Sequence, residues 1–426
     1  MKLDFETCMQ HGVSRRSFLR TLGAASAAAA TLPAMAYGQT QQQQAGRRSG
    51  MGMADMGERQ ALPDGTVIIS SNENPLGPAQ SALTALCDTA PLGGRYHFEE
   101  SAKTIDAFNT LYGLKRGYSA LFPGSGGPLD LALMSNIGPD KALVMGKPSY
   151  EQGTRAAMTM KAPLFEVALT PKFEHDVKAM LAAHPSPGAY YIVNPNNPTG
   201  TMTPKADIVW LLANKPKGSV VIVDEAYHHF STDESCLDLV AADKDIIVTR
   251  TFSKIYGMAG IRAGFAAGRP DLLQRFQVAA PAVRSLASIS IVSAAAARAS
   301  LLDKELVPLR RKINGDLRED TLAFLQKKGY KVLPGSQANF FMVDVNRPGS
   351  EFHKAMLEEK ISIGRTWPSM PTYVRVTVGT KDEMQKFQTA FVKCMDKKPD
   401  TANGATLHLP EYHIPSELYR GESFAS

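Results

Sequence analysis

The chain has 426 residues, is 44% hydrophobic and 21% charged, and carries a formal net charge of +6. This is ordinary globular composition, with room for two or three domains' worth of core. No Lys/Arg cluster is interleaved with aromatics, which argues against nucleic-acid binding. The four cysteines form no Cys-x-x-Cys pair and no His/Cys set at ligand spacing, so neither a disulfide framework nor a metal site is expected.

In chain order, Ser14-Arg15-Arg16-Ser17-Phe18-Leu19-Arg20 reads as a twin-arginine signal. A weakly apolar stretch, Thr21–Leu32, and an A-x-A cleavage site at Ala34-Met35-Ala36 follow it. Residues 1–36 are therefore expected to be removed, giving a periplasmic or exported protein with no stable membrane insertion, since the apolar stretch is too short for a permanent membrane helix. Residues 37–65, with Gln41–Gln44 and a Gly/Met/Arg-rich run, read as a flexible linker. Ordered sequence begins near Thr66 with a β-type run, then the turn cluster Asn72-Glu73-Asn74-Pro75-Leu76-Gly77-Pro78 and a helix from Ala79 to about Cys87.

From about residue 101 short apolar runs alternate with helical stretches, the pattern of βαβ units around a mostly parallel sheet. The expected strands are Ser119–Phe122, Ala142–Met145, Leu164–Ala168, Tyr190–Val193, Val220–Val223, Ile246–Val248 and Ile261–Ala266, with helices such as Glu174–His184 and Pro204–Ala213 between them. Loops leaving the carboxyl ends of such strands form the ligand crevice. Each conspicuous polar motif falls on one: Pro123-Gly124-Ser125-Gly126-Gly127-Pro128, Asn194–Gly200, Asp224-Glu225-Ala226-Tyr227, and Lys254 in TRTFSKIYGMAGIRAGF. The glycine turn opens a helix whose free N–H groups can hold an anion. Lys254, flanked by Thr251 and Ser253 and followed by Arg262, suits an aldehyde cofactor that carries a phosphate.

The remaining chain reads as a smaller α+β unit. It has a helical region over 282–328, strands Lys331–Leu333 and Asn339–Val345, a helix Ser350–Glu359, and the alternating strand Tyr373–Val378. The expected organisation is an N-terminal segment 66–100 joining the small domain, a large domain 101–298, a small domain 299–398 and a tail 399–426. Taken alone, Asp224 could be only a helix cap, Tyr150 and Tyr96 could be packing aromatics, and His228-His229 read as satisfied or solvent-facing imidazoles.

SNENPLGP, NPNNPTG, VIVDEAY, TFSKIYGMAGIRAGF, SQANF and VRVTVGT occur in that order over about residues 66–395. This series resembles the class I/II aminotransferases of fold type I, and within them the histidinol-phosphate aminotransferase branch. The resemblance implies a three-layer α/β transferase that binds pyridoxal 5′-phosphate. It implies that Lys254 forms the internal aldimine and shuttles the proton, and that Asp224 holds the pyridine nitrogen protonated. Tyr227 and Asn197 would bond the phenolic oxygen, and Tyr150 would stack on the ring. Ser125, Gly126, Gly127, Thr251, Ser253 and Arg262 would hold the phosphate, with Tyr96 reaching across to the partner's phosphate in a homodimer. Arg375 would clamp the substrate α-carboxylate, with Asn339 near it and Arg365 in the branch's arginine-bearing segment.

The reaction expected is amino transfer between an amino acid or amino-alcohol phosphate and a 2-oxo acid or related carbonyl. The alternative is another reaction of the same cofactor: decarboxylation, racemisation, elimination or oxygen-dependent oxidation. The chain departs from the branch in having Pro128-Leu129 after the glycine turn. Proline lacks an N–H, so one backbone donor to the phosphate is expected to be missing, with Ser125 or Thr251 compensating.

Overall fold

The structure, a computed structural model, describes residues 62–279 and 289–397. The twin-arginine motif, the cleavage site, residues 37–61 of the linker, the start of the 282–328 helical region and the tail from 399 lie outside the described residues.

Twelve described strands follow in chain order: β1 Val67–Ile69, β2 Ser119–Phe122, β3 Leu143–Lys147, β4 Leu164–Ala168, β5 Ala189–Val193, β6 Val220–Asp224, β7 Ile246–Thr251, β8 Gly264–Gly268, β9 Lys331–Val332, β10 Phe340–Asp344, β11 Ile361–Ile363 and β12 Tyr373–Thr377. Seven of them form one sheet in the order β2-β8-β7-β6-β5-β3-β4. It is parallel from β7 through β4, and β8 runs antiparallel to both β7 and β2.

Strands β5, β6 and β7 are buried along their whole length, which is why they read as near-continuous apolar runs. Their side chains divide by parity. Tyr190, Ile192, Val221, Val223, Ile246 and Val248 enter one core cluster, whereas Tyr191, Val193, Val220, Ile222 and Ile247 enter another. A strand's period of two thus gives the sheet an apolar layer on each face. A third cluster, with Phe341, Val343, Phe352, Val374, Phe387 and Phe391, belongs to the three-stranded antiparallel sheet β12-β10-β9 and the helices Gly349–Glu358 and Lys381–Asp396.

Three expectations are corrected, and one strand is added. The strand expected at Ile261–Ala266 begins only at Gly264, because Ile261 and Arg262 donate back to Met258 O in a turn and Arg262 takes φ 62°. That left-handed geometry is incompatible with a strand. The helix expected at Glu174–His184 shortens to Val177–Ala182. His175 N is spent on Thr203 Oγ1, and Asp176 Oδ1 caps Ala179 N. The long C-terminal helical region divides into Ile291–Leu302 and Leu306–Lys327, separated where Asp303 turns extended and takes a hydrogen bond from Ser81 Oγ at 2.9 Å. The short strand β11 has no counterpart in the sequence reading; it pairs in parallel with β1, Val67 opposite Ile361. The same N-terminal segment packs its helix Gln80–Thr89 on Ile291–Leu302, so it touches both the small-sheet side and the long helices.

Candidate active site

The site lies where β5, β6 and β7 end. Pairing sets Val193 opposite Asp224 and Asp224 opposite Thr249, so the register alone brings a carboxylate between two loops. Asp224 is 4% exposed. Thr249 Oγ1 donates to its Oδ1 at 3.1 Å and Ala226 N to the same atom at 3.2 Å, leaving Oδ2 without a hydrogen bond among the described residues. Burial pushes this carboxyl up to about 6, against the pull of those two donors. An acid so placed calls for a cationic partner.

Lys254 follows three residues after β7. Its turn closes with Gly257 N donating to Lys254 O at 3.0 Å. Gly257 takes φ 66°, and a Cβ there would lie 2.0 Å from Gly77 O, so the lysine turn is wedged against the 72–78 loop and only glycine fits. Lys254 Nζ sits 5.5 Å from the centroid of the Tyr227 ring and donates to Ser71 O at 3.3 Å. Burial, and then the Arg375 guanidinium, bring its ammonium down to about 8, opposed by Glu73 and Asp224. At neutral pH a useful fraction is therefore the free amine, the form that attacks a carbonyl.

Tyr227 is buried edge-on against Phe340, centroids 5.0 Å apart, and its hydroxyl accepts from Asn72 Nδ2 at 3.0 Å. Burial raises its pKa, so the phenol keeps its proton and has it free to donate. Arg375, on β12, is also buried; Nη1 donates to Asn197 Oδ1 at 2.7 Å and Nη2 to Ser70 O at 2.8 Å. Its Nε has no partner among the described residues. A buried guanidinium that makes no ion pair among the described residues is a place for a carboxylate.

The third cluster gathers around the glycine turn. Ser125 is the N-cap of the helix Gly126–Met134, so Gly126 and Gly127 occupy its first two positions with free N–H groups, and Pro128 occupies the third without one. Gln152 Nε2 pins Gly126 O at 2.6 Å. Arg262 reaches this turn: a Cβ on Gly124, which has φ 86°, would stand 2.2 Å from Arg262 Nη2. Arg262 Nη1 donates to Ser253 Oγ at 3.3 Å, and Thr251 Oγ1 donates to Ser253 Oγ at 2.9 Å. Guanidinium, two hydroxyls and a helix N-terminus thus converge at the ends of β2, β7 and β8, a cradle suited to a phosphate.

Not every expected residue joins these clusters. Tyr150 is half-buried, its ring 5.8 Å from Arg155, and it interacts electrostatically with Asp224 and Tyr227 without a hydrogen bond to either among the described residues. Asn339 does not bond Arg375; its Nδ2 donates to Asn72 O at 3.1 Å and Glu73 O at 3.2 Å, holding the loop that presents Asn72. Tyr96 stands apart, 78% exposed and stacked on Phe98. Arg365 makes an ion pair with Glu151.

His228 and His229 are buried rather than solvent-facing. His229 Nε2 accepts from Arg250 Nη1 at 2.7 Å, and burial holds His228 down at about 4, so both rings are neutral and structural. Glu225 is spent beneath the site on Arg250, at 2.7 Å, and on Cys236 N.

Sequence reasoning missed Asn72, Ser70, Ser71 and Trp367. Ser71 and Asn72 open the motif SNENPLGP, whose Asn/Pro/Gly chemistry marked a loop, whereas Ser70 and Trp367 stand outside every motif and no local signal pointed to them.

The group implied by the resemblance fits these residues. Asp224 Oδ2 has the open acceptor that a pyridinium needs, Lys254 has the lowered amine that an aldehyde needs, and the glycine turn with Arg262 has the donors that a phosphate needs. The aminotransferase class I and II family model matches residues 66–391. A histidinol-phosphate aminotransferase from Moorella thermoacetica is 31% identical over 336 residues, covering 76% of this chain and 84% of that protein. Among solved structures, a histidinol-phosphate aminotransferase candidate from Erwinia carotovora atroseptica superposes with a TM-score of 0.73 at 28% identity, covering 78% of this chain and 96% of that one. The fold is shared also with the histidinol-phosphate aminotransferase of Sinorhizobium meliloti, solved in complex with pyridoxal 5′-phosphate, at a TM-score of 0.70 and 23% identity over 78% of this chain and 90% of that one. With a family match spanning the site from β1 to the last helix, and with a relative matched across most of its own length, this chain belongs to the class I and II aminotransferase family and is a pyridoxal-phosphate-dependent aminotransferase.

Proposed function

We propose that the chain is an exported, homodimeric aminotransferase of the histidinol-phosphate aminotransferase type. It would move an amino group between an amino acid, or an amino-alcohol phosphate, and a 2-oxo acid or related carbonyl. The observation that carries the reading is the meeting of Lys254, its pKa lowered to about 8, with buried Asp224 and with the buried Arg375 guanidinium, which makes no ion pair among the described residues. When bound, pyridoxal phosphate supplies the electron sink that makes a substrate α-proton removable.

The chain's own residues would do the rest. Gly126 and Gly127 N–H groups, the Ser125, Thr251 and Ser253 hydroxyls and the Arg262 guanidinium hold the phosphate. Asp224 would accept from the ring nitrogen, and Tyr150 would cover the ring. Tyr227 donates its free phenolic proton to the ring hydroxyl, joined by Asn197. Arg375 would hold the substrate carboxylate, with Arg365, paired to Glu151, beside it. Lys254 Nζ, positioned over Tyr227, takes and returns the α-proton. Asn339 acts on this arrangement at one remove, by fixing Asn72.

Two expected results follow from this geometry. Only the free amine of Lys254 attacks an aldehyde, so capture of pyridoxal phosphate by cofactor-free protein is expected to accelerate with rising pH through a midpoint near 8, followed by the change in cofactor absorption. A midpoint near the ordinary lysine value would show that burial and Arg375 do not act on this amine. Gly124→Ala is expected to drive Arg262 away from Ser253, because the new methyl occupies the guanidinium's place and the residue must hold φ 86°. The dissociation constant for the cofactor should rise roughly 10- to 100-fold, as for one lost charge-assisted contact, and equilibrium dialysis reads it. An unchanged constant would remove Arg262 from the phosphate site.

The reaction is tested by mixing holoenzyme with single amino donors and reading conversion of the cofactor to its amine form. If no amino acid or amino-alcohol phosphate converts it, amino transfer is the wrong reaction for this protein. Export is supported by Arg15-Arg16 and the Ala34-Met35-Ala36 site in the sequence; lysines at both arginines should retain the protein in the cytoplasm. Dimerisation is supported by Tyr96 and Phe98, stacked together yet 78% and 52% exposed. A monomer in sedimentation at micromolar concentration would count against it.

A further inference from the structure

One charged pair beside Arg375 bears on which substrates enter. Glu151 follows Tyr150 in the turn after β3 and occupies the N-cap position of the helix Gln152–Met160, yet its side chain makes no capping hydrogen bond. Its carboxylate instead pairs with Arg365 Nη2, from the segment that follows β11. The Arg365 guanidinium lies 4.8 Å from the centroid of the Trp367 indole, and the Arg375 guanidinium lies 5.2 Å from the same centroid. One indole therefore bridges the buried arginine and the paired one, which sets the Glu151–Arg365 pair beside Arg375. Both members of the pair also act electrostatically on Arg375. The neighbouring cation, Arg155, is exposed and turned to Tyr150.

We propose that Glu151 determines substrate specificity by occupying Arg365. The pocket then lacks a free second cation and favours substrates whose side chain carries no negative charge, that is, uncharged or cationic amino acids and the corresponding 2-oxo acids. This rests on the aminotransferase reading of the pocket, in which the α-carboxylate lies on Arg375. A side chain ending in carboxylate or phosphate must either displace Glu151 from Arg365 or lie beside a like charge. The Arg365 and Glu151 side chains remain 54% and 31% exposed, so the pair is a weak one that a ligand can open. The consequence is a bias against acidic side chains rather than a closed door.

The test titrates holoenzyme with glutarate and with pentanoate, five-carbon acids without an amino or oxo group that differ in one terminal carboxylate. Isothermal titration calorimetry gives the two dissociation constants for the wild type, Glu151→Gln, Arg365→Gln and the double variant. The preference for glutarate over pentanoate is expected to rise roughly tenfold in Glu151→Gln, as a repelling charge beside the ligand is removed, and to return to the wild-type ratio or below in the double variant. A preference that stays level or falls in Glu151→Gln, glutarate that fails to bind that variant, or a gain that persists without Arg365 would each overturn the proposal. Neither ligand reacts, so the outcome is separate from the reaction itself: wild-type holoenzyme that no amino donor converts would sink amino transfer and leave this ratio to be read on its own.

Discussion

Lys254→Ala is expected to lower the rate of amino transfer by at least about 10^4-fold, the upper range for loss of a positioned acid/base group, with cofactor attachment lost at the same time. The expectation follows from geometry. Nζ is the lone amine over the Tyr227 ring among the described residues, held by Ser71 O at 3.3 Å, and no other lysine appears among the groups acting on Asp224. Borohydride reduction of wild-type holoenzyme followed by peptide mass mapping should place the cofactor on the peptide containing residue 254, and the alanine variant should carry no label. The side chain is only half-buried, so the variant should fold with a melting temperature near that of cofactor-free wild type. Label on another lysine, or activity within a hundredfold of wild type, would remove Lys254 from the centre of the reaction.

Asp224→Asn should separate stability from function in opposite directions. The native carboxyl titrates at about 6 instead of its ordinary 3.8, so the folded protein binds this proton more tightly than the unfolded chain does. That stabilising contribution is complete below about pH 4 and disappears as pH rises through about 6. At about 1.4 kcal/mol for each tenfold change in proton affinity, the loss amounts to about 3 kcal/mol by pH 7.

Asparagine keeps the oxygen that accepts from Thr249 and Ala226 but cannot ionise. Cofactor-free Asp224→Asn should therefore gain on the wild type as pH rises from 4 to 7, by up to about 3 kcal/mol, read by urea unfolding at each pH. Its holoenzyme should be slower by roughly 10^3-fold, the scale seen when one preorganised electrostatic partner is removed. A variant that is less stable than wild type at pH 7 would mean the carboxylate already has a cationic partner in the chain. One that keeps its rate would mean the ring nitrogen needs no acid there.

Much of this site could be read before folding. Lys254, Asp224 and the glycine turn each stand at the end of an apolar β-type run, and in a parallel sheet such ends converge. Arg262 was legible as a charged residue eight positions beyond the lysine, though not as a turn. What local pattern could not supply was any contact between segments far apart in the chain. Asn72 meets Tyr227 and Thr377, and Arg375 meets Ser70 and Asn197, across separations of 155 to 305 residues. Nothing in the neighbours of any of these residues encodes the partner.

By itself, then, the sequence determined the alternation of strands and helices, the family resemblance and the chemistry-bearing residues, because hydrophobic period and turn chemistry are local properties. Tertiary structure decided the rest. It set the register that seats Asp224 between Val193 and Thr249, and it brought half-buried Lys254 close enough to buried Asp224 and Arg375 for both to act on its protonation. It also turned Glu151 toward Arg365 rather than toward its own helix. Burial and proximity are properties of the packed chain, and they set the charge states on which both reaction and specificity depend.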